Sequence, residues 1–179
     1  MFDLGSVAQT MSRLVSGVGD DQLGDPTPCR EWTVADLLAH IHQFTTVFTQ
    51  NGHKEAVQPP VGLVEDWRVA IPGQLDALVR AWRETSAWQG RVSAGGLEMD
   101  AADQATVGIE ELTVHGWDLA RATSQDLRVD DADLDRVDRF FDLFGPEPFG
   151  PAARIPDAAT RLDGIVARTG RDPSWRPEH

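Results

Sequence analysis

The chain has 179 residues, of which 41% are hydrophobic and 25% are charged, a composition typical of a folded protein rather than a disordered one. Acidic residues outnumber basic ones by 29 to 16, and the net charge of −13 argues against nucleic acid or an anionic membrane surface as the main partner. One cysteine excludes an intramolecular disulfide. The N-terminus lacks signal-peptide features, and no apolar run approaches the roughly 20 residues that span a bilayer, so we expect a cytoplasmic protein.

Hydrophobic periodicity predicts two helices in the first third of the chain. Apolar residues recur at helical spacing over residues 4–18. Two prolines in the connector 24–29 forbid helix there. Thr33 is the expected N-cap of the second helix, and Asp36 is placed to favour the positive end of that helix. The apolar spacing of this second helix continues through residues 37–48.

The middle of the chain contains two more helical patterns separated by a break. Apolar residues over 64–82 follow a 3.6-residue period and predict a third helix, which Pro72 either kinks or restarts near its first turn. Residues 88–99 are rich in glycine and lack a helical period, which predicts a loop or a short hairpin. The spacing over 109–122 predicts a fourth helix.

The last part of the chain predicts a fifth helix and a short sixth one. Acidic residues begin the fifth helix near residue 130, and Gly145-Pro146 is the expected stop. A loop is expected between Pro148 and Pro156, and a short helix should include Ala158 and Val166 and end at Gly170.

These elements indicate an all-α architecture in one domain that spans residues 1–179. We expect a bundle of four main helices over about 1–145 and a C-terminal extension over about 146–179. If the apolar side of the last helix is exposed, a homodimer is compatible with the pattern.

The fourth predicted helix carries the residues with the most informative spacing. Glu111 and His115 are four residues apart and therefore share one helix face, and Asp118 is on nearly the same face. A carboxylate and an imidazole placed in this way can reach one divalent metal, and zinc accepts such ligands. The alternative is an exposed Glu–His pair on a solvated helix, with Asp118 bonded to Arg121.

A third metal ligand would have to come from another helix, and His40 is the best candidate. It lies on the apolar stripe of the second helix, whereas His42 lies roughly 200° round that helix. The alternative for His40 is a buried histidine bonded to a carbonyl group. His53 and His179 are expected at the surface.

Cys29 and the tryptophans have structural roles as their default interpretation. Cys29 lies in the proline-rich connector, where a half-buried packing role is expected and a nucleophilic or metal-ligating role is the alternative. The tryptophans are expected to pack in the core and against loops, and Trp117 should point to a different face from His115.

Three stretches of the sequence resemble a known family. Residues 27–40 (TPCREWTVADLLAH) resemble the opening of the mycothiol-dependent maleylpyruvate isomerase N-terminal domain. Residues 111–120 (ELTVHGWDLA) are similar to the second metal motif of that family. Residues 169–175 (TGRDPSW) are typical of a large actinobacterial branch of uncharacterised relatives. The resemblance covers nearly the whole chain.

The resemblance implies a DinB-like four-helix bundle that binds one divalent metal, usually zinc, with nickel as the other candidate. The implied metal ligands are His40, Glu111 and His115. Relatives in this superfamily are thiol-dependent enzymes that use mycothiol, bacillithiol or glutathione. The extension seen here is too short for the separate C-terminal domain of the isomerase, so the resemblance specifies a fold and a metal site rather than a substrate.

An open metal site of this kind favours a thiol-dependent S-transferase or isomerase, with mycothiol as co-substrate and a small electrophile as substrate. Coordination would remove the proton of the thiol, and the thiolate could attack an electrophilic carbon. Asp118 is then a partner of a metal ligand or a general base, and Arg121 is a candidate anchor for an acidic substrate. The alternatives are a non-enzymatic binding module that contains a metal, and a metal-dependent hydrolase.

Overall fold

The computed structural model describes residues 1–145, 149–157 and 159–177. Within these ranges the elements are α1 (Gly5–Ser16), α2 (Val34–His53), α3 (Trp67–Arg83), β1 (Arg91–Ala94), β2 (Leu97–Asp100), α4 (Ala101–Ala122), α5 (Asp131–Phe144) and α6 (Arg161–Arg168). No helix among the described residues combines the length and the hydropathy that crossing a bilayer would require.

Helix α2 begins where the sequence predicts, because its first turn is capped by side chains. The hydroxyl of Thr33 accepts a hydrogen bond from the backbone N–H of Asp36 at 3.2 Å, and the Asp36 carboxylate accepts one from the Thr33 N–H at 2.9 Å. This reciprocal pair satisfies two backbone donors that have no partner within the helix. The cap fixes the start of the helix that carries His40.

Helix α3 continues through its proline. It begins at Trp67, five residues before Pro72, so the expectation that the helix restarts at Pro72 is wrong. The N–H that proline lacks would have bonded to the carbonyl of Arg68 in the first turn, so only one early hydrogen bond is lost. Ile71 and Leu75 on either side of the proline are buried, and their packing retains the helix.

The glycine-rich segment forms an antiparallel hairpin, which corrects the all-α prediction to a mostly helical fold with a small two-stranded sheet. Arg91 pairs with Asp100 and Ala94 pairs with Leu97. Gly95-Gly96 forms the two-residue turn with φ values of +58° and +81°, which is the geometry that such a turn requires and that glycine adopts most readily. The strands have only four residues each, too few for a clear alternating pattern.

The first four helices pack around a shared hydrophobic core. Helix α2 contacts both α3 and α4, and α1 contacts the same two helices. Helix α5 packs on α4, and α6 packs on α5. The core includes fully buried side chains from each of the first four helices, among them Met11, Leu38, Leu78 and Ile109. Because α2 lies against α4, the face of α2 that carries His40 can meet the Glu111 face of α4.

The predictions for the last part of the chain are largely confirmed. Helix α5 ends at Phe144 as expected, but Pro146 and Pro148 lie outside the described residues. Helix α6 begins at Arg161, where Thr160 provides its N-cap. Ala158, which we expected within this helix, also lies outside the described residues.

Candidate metal centre

Three potential metal donors from two helices converge in the structure. Nε2 of His40, on α2, lies 3.3 Å from Oε2 of Glu111, on α4. Nε2 of His115, one turn further along α4, lies 3.2 Å from the same oxygen. One ligand atom from each residue lies within 4.8 Å of the others. The three residues inferred from spacing and resemblance are therefore close enough to share one ion.

Aromatic side chains surround the two imidazoles. The rings of His40 and His115 are 4.7 Å apart between centroids and nearly perpendicular. Trp32, in the loop before α2, lies 4.9 Å from the His40 ring and stacks at 5.9 Å on the His115 ring. Phe44 lies 5.4 Å from the His40 ring between centroids. These rings limit the access of water and hold both imidazoles in place.

His115 is oriented by the buried carboxylate of Asp118. The sequence predicted that Asp118 lies on nearly the same helix face as His115, but it predicted the wrong arginine as its partner. Nδ1 of His115 lies 2.9 Å from Oδ2 of Asp118, which is fully buried. Arg171, beyond α6, donates from Nε and Nη2 to Asp118, each at 2.8 Å. The expected ion pair between Asp118 and Arg121 is therefore wrong, because Arg171 occupies both carboxylate oxygens.

Arg121 lies in a different environment from the three converging donors. Its guanidinium is 3.8 Å from Asp163 on α6 and 5.3 Å from the centroid of the Trp117 ring. These contacts connect α4 to α6. A role of Arg121 as a substrate anchor stays a prediction. Trp117 is buried, in agreement with the packing role expected for it.

The structure differs from the alternative interpretations of His115, as part of an exposed pair, and of His40, as a histidine bonded to a carbonyl group. His115 is only 8% exposed, so the Glu111–His115 pair is not a solvated surface pair. His40 faces a carboxylate rather than a carbonyl group. His42 on the same helix is half-buried and is not among the converging donors, and His53 is exposed as expected. His179 lies outside the described residues.

Ionised carboxylates supply negative charge to the cluster, and His115 holds a proton that a bound metal would displace. Burial alone would raise the pKa of Glu111, but hydrogen bonds from His115 and His40 hold this pKa well below its usual range. Burial likewise acts to lower the pKa of His115, yet its contacts with Asp118 and Glu111 raise it to about 9. The pKa of Asp118 is lowered, because hydrogen bonds from His115 and Arg171 outweigh its burial. Two negative carboxylates thus flank His115.

Two further titratable groups near the cluster keep their protons. Burial, followed by the neighbouring charge of Glu111, raises the pKa of Glu110 to about 8. Burial and the charge of Asp118 raise the pKa of the Cys29 thiol, which is half-buried and free. A thiol with a raised pKa is a poor nucleophile at neutral pH, which favours the structural interpretation of Cys29.

The donor set fits a divalent metal. Two imidazoles and a carboxylate match the ligand preference of zinc, and three protein ligands leave a coordination position open. Because Nδ1 of His115 contacts Asp118, its Nε2 is the nitrogen turned towards Glu111 and His40. A hydrogen-bonded carboxylate behind a metal-binding histidine is the arrangement that fixes the ring and its tautomer.

Two cavities adjoin this region. One, of about 340 Å³, is mainly apolar and has His40 and Glu111 in its wall. The other, of about 690 Å³, is a more polar groove whose wall includes Cys29, Arg30 and Arg171. Phe149 borders both cavities.

Sequence reasoning missed the roles of Arg171 and Phe149. Arg171 lies within residues 169–175, a stretch singled out for its resemblance to relatives, but nothing local indicates that its partner is Asp118. Phe149 follows the expected helix stop and carries no periodic signal. Only the packing of the C-terminal segment against α4 and α5 brings them to the site.

Comparison with known proteins finds a family whose model matches this chain. The model of the mycothiol maleylpyruvate isomerase N-terminal domain matches residues 4–120. The uncharacterised protein Rv0738 of Mycobacterium tuberculosis is 29% identical over 176 residues, which cover 88% of this chain and 90% of the relative. The uncharacterised protein Rv0036c of the same organism is 30% identical over 140 residues, covering 67% of this chain and 54% of the relative.

Two solved structures share the fold. The crystal structure of the mycothiol-dependent maleylpyruvate isomerase superposes with a TM-score of 0.53 at 18% identity, and that of a point mutant superposes with a TM-score of 0.56 at 17% identity. Each match covers 73% of this chain and 63% of the solved chain. At this level of identity the likeness concerns the fold. His40, Glu111, His115 and Asp118 all lie within the residues that the family model covers.

Proposed function

Because the chain belongs to the mycothiol maleylpyruvate isomerase N-terminal domain family, we propose that it is a metal- and thiol-dependent S-transferase or isomerase. In this proposal one divalent metal is held by His40, Glu111 and His115. The observation that carries it is the convergence of these three donors within 4.8 Å, with His115 oriented by a buried carboxylate.

Zinc is the metal that the donors favour. Catalytic zinc sites commonly use three protein ligands drawn from histidine and carboxylate, whereas structural sites use four ligands rich in cysteine. Cys29, the sole cysteine, is not among the converging donors, which supports a catalytic rather than a structural site. Nickel accepts the same nitrogen and oxygen ligands and is the second candidate.

The protein groups prepare the site in three ways. Asp118, held by Arg171, fixes the ring of His115 and favours the tautomer that leaves Nε2 free for coordination. Glu111 stays ionised and supplies negative charge. Trp32 covers the imidazole rings and limits the access of water. A divalent metal bound there would supply Lewis acidity that lowers the pKa of a coordinated thiol.

An external thiol is favoured over a protein nucleophile. The raised pKa of Cys29 keeps this thiol protonated, so the chain itself offers no activated sulfur at neutral pH. The polar groove that contains Arg30 and Arg171 suits the hydrophilic body of a thiol such as mycothiol. In the reaction, sulfur forms a bond to an electrophilic carbon, either to give a conjugate or to allow rotation and release of an isomer.

Asp118 fits a positioning role better than that of a general base. It is fully buried, and both of its oxygens accept hydrogen bonds from Arg171 or lie against His115. A carboxylate with a lowered pKa and satisfied oxygens has little tendency to take a proton. We further propose that α1–α4 form a DinB-like four-helix bundle and that the extension belongs to the same domain.

Metal content of the purified, untagged protein tests the proposal. Inductively coupled plasma mass spectrometry should find about one zinc or nickel per chain in the wild type, and none in His40→Ala or His115→Ala. His53→Ala is the matched control, because it removes an exposed histidine of the same helix α2. Circular dichroism should show unchanged helical content in all three variants.

The loaded protein is then assayed for thiol chemistry. Consumption of mycothiol with an electrophile, abolished in His115→Ala and retained in His53→Ala, would support the proposal. Wild-type protein that takes up no metal even after reconstitution would overturn it in favour of a binding module. Metal-dependent ester hydrolysis that is independent of thiol would overturn it in favour of a hydrolase.

A further inference from the structure

The apolar cavity begins at the proposed metal donors and extends away from them. His40 and Glu111 lie in its wall, and the other wall residues come from α2, the hairpin, α4, α5 and the segment after α5. Its volume of about 340 Å³ is at the lower end of the range for small-molecule pockets, about 300–1,000 Å³. A small ligand in this cavity would reach the donors directly.

The wall of the cavity is hydrocarbon apart from the groups near the donors. Five phenylalanines line it: Phe44, Phe48, Phe140, Phe144 and Phe149. Hairpin residues Leu97 and Met99 complete one side. Among the described residues that line the cavity, none is lysine or arginine, and Glu110 adds a second carboxyl group beside Glu111.

We propose that this cavity binds the electrophilic substrate, and that this substrate is an uncharged, largely hydrocarbon molecule rather than a dicarboxylate. The inference rests on the proposed function, because it names the substrate class of the same metal site. It goes beyond that function, since a thiol-dependent enzyme of this family could equally serve a charged substrate.

The electrostatics of the wall disfavour an anion. A carboxylate that leaves water must find a cationic or hydrogen-bonding partner, or its burial is strongly unfavourable. One carboxylate of a dianion could approach a bound metal, but the second would lie among phenylalanine rings.

The phenylalanine wall is supplied mostly by residues outside the family match. Phe140 and Phe144 are on α5, and Phe149 follows it, whereas the family model covers residues 4–120. The donors therefore come from the part of the chain shared with the family, and three of the five phenylalanines in the cavity wall come from the part that follows. Substrate class can differ from that of the solved isomerase for this reason.

A neutral enone illustrates a reaction that balances in this site. The thiol loses its proton, its sulfur forms a bond to the β-carbon, and the π electrons of the carbon–carbon double bond move to give an enolate. The enolate then takes up one proton at the α-carbon, which replaces the proton released by the thiol. The reaction needs no oxidant, reductant or further reactant.

Direct binding tests the cavity without requiring turnover. The probe is 4-phenylbutan-2-one, an uncharged and unreactive analogue of an aromatic enone, and the comparison ligand is maleate. Isothermal titration of the full chain should give binding of the ketone at least about tenfold tighter than that of maleate. Metal content is measured on the same samples, with and without added zinc.

Two variants and one control locate the binding. Phe144→Ala removes part of the wall, and Ala94→Phe fills the cavity from strand β1, so each should weaken ketone binding about tenfold. Phe2→Ala is the matched control, because Phe2 is a half-buried phenylalanine that packs on Trp88 instead of lining the cavity. Its affinity should stay within about twofold of the wild type.

The outcomes separate this inference from the proposed function. Ketone binding that the two cavity variants weaken supports the inference, even if the protein takes up no metal and the proposed function fails. Preferential binding of maleate by zinc-loaded protein would overturn the inference and leave the proposed metal site intact. Ketone binding that both cavity variants leave unchanged would also overturn it.

Discussion

Arg171 donates hydrogen bonds to both carboxylate oxygens of Asp118, and Asp118 lies 2.9 Å from Nδ1 of His115. The arginine is 53 residues away from its partner along the chain. The C-terminal segment thereby reaches a side chain that touches a proposed metal ligand. Because Asp118 is completely buried, this contact neutralises a charge that water cannot reach.

Replacing Arg171 with alanine should destabilise the protein strongly. The substitution leaves the buried Asp118 charge without its partner, and breaking such a pair typically costs about 3–5 kcal/mol. Urea unfolding followed by circular dichroism measures the loss. Arg161→Ala is the control, because Arg161 pairs with Asp135 and Asp138 at the exposed surface and should matter far less. Equal losses for the two variants would contradict the interpretation.

Asp118→Asn should weaken zinc binding, and it should also lower stability because Arg171, whose side chain is only 11% exposed, loses its charged partner. Asparagine keeps the size of the side chain but loses the charge that orients His115 and strengthens it as a ligand. Loss of such a partner usually lowers metal affinity about 10–100-fold. Competition with a chromophoric zinc chelator gives the affinity. Asp163→Asn, which alters the Arg121 pair at 3.8 Å, should leave zinc affinity unchanged.

Removing metal should lower stability without unfolding the protein. The hydrophobic core extends across α1–α6 and does not depend on the three donors. Ligand linkage predicts about 2.7 kcal/mol of added stability when free zinc is 100 times its dissociation constant. Unfolding curves with zinc and with a chelator measure this difference, which should vanish in His115→Ala. A chelated wild type without helical signal would instead indicate a structural metal.

Thr33→Ala should cost about 1 kcal/mol of stability, because it removes the N-cap of α2. Thr160→Ala removes an equivalent cap from α6 and should cost a similar amount. Only α2 carries a proposed metal donor, so zinc affinity should fall in Thr33→Ala alone. Parallel urea unfolding and chelator competition on both variants provide the test.

Asp133→Asn should remove a loss of stability that develops as the pH rises. Burial raises the pKa of Asp133, so the folded protein holds this proton at pH values where the unfolded chain has released it. The contribution of Asp133 to stability is therefore greatest below the usual carboxyl range near pH 4 and falls as the pH rises through and above it. The variant lacks this loss, so its advantage over the wild type should grow with pH.

Urea unfolding between about pH 3.5 and pH 7 measures this effect. Asp76→Asn, a change at an exposed position of α3, serves as the control and should follow the wild type across the range. Identical pH profiles for Asp133→Asn and the wild type would show that burial of this carboxyl group has no effect on stability.

Much of the fold and of the site could be predicted because the signals are local. The apolar period located the helices, and Thr33 with Asp36 fixed the start of α2. The four-residue spacing of Glu111 and His115 put both side chains on one face, as the structure shows. The apolar stripe of α2 indicated His40 as the partner from another helix, and the resemblance of residues 27–40 supported this choice.

The parts that could not be predicted depend on contacts between distant residues. Arg121 is close to Asp118 in sequence and was the natural partner, but Arg171 reaches that carboxylate through the tertiary fold. Pro72 is tolerated because packing on both sides of it outweighs one lost hydrogen bond. The apolar cavity combines side chains from α2, the hairpin and α5, and no sequence window contains all three.

The proposed donors come from residues that the family model covers, whereas Arg171 and Phe149 come from residues after it. The proposed donors and part of the wall of the proposed substrate cavity are therefore encoded in separate parts of the chain. Consider a chimaera that joins this chain, up to the end of α4, to the tail of a relative. It would keep the donors, but the tail would contribute different side chains to the wall of the cavity. Within such a family, new specificities can arise by replacement of the tail while the chemistry is inherited intact.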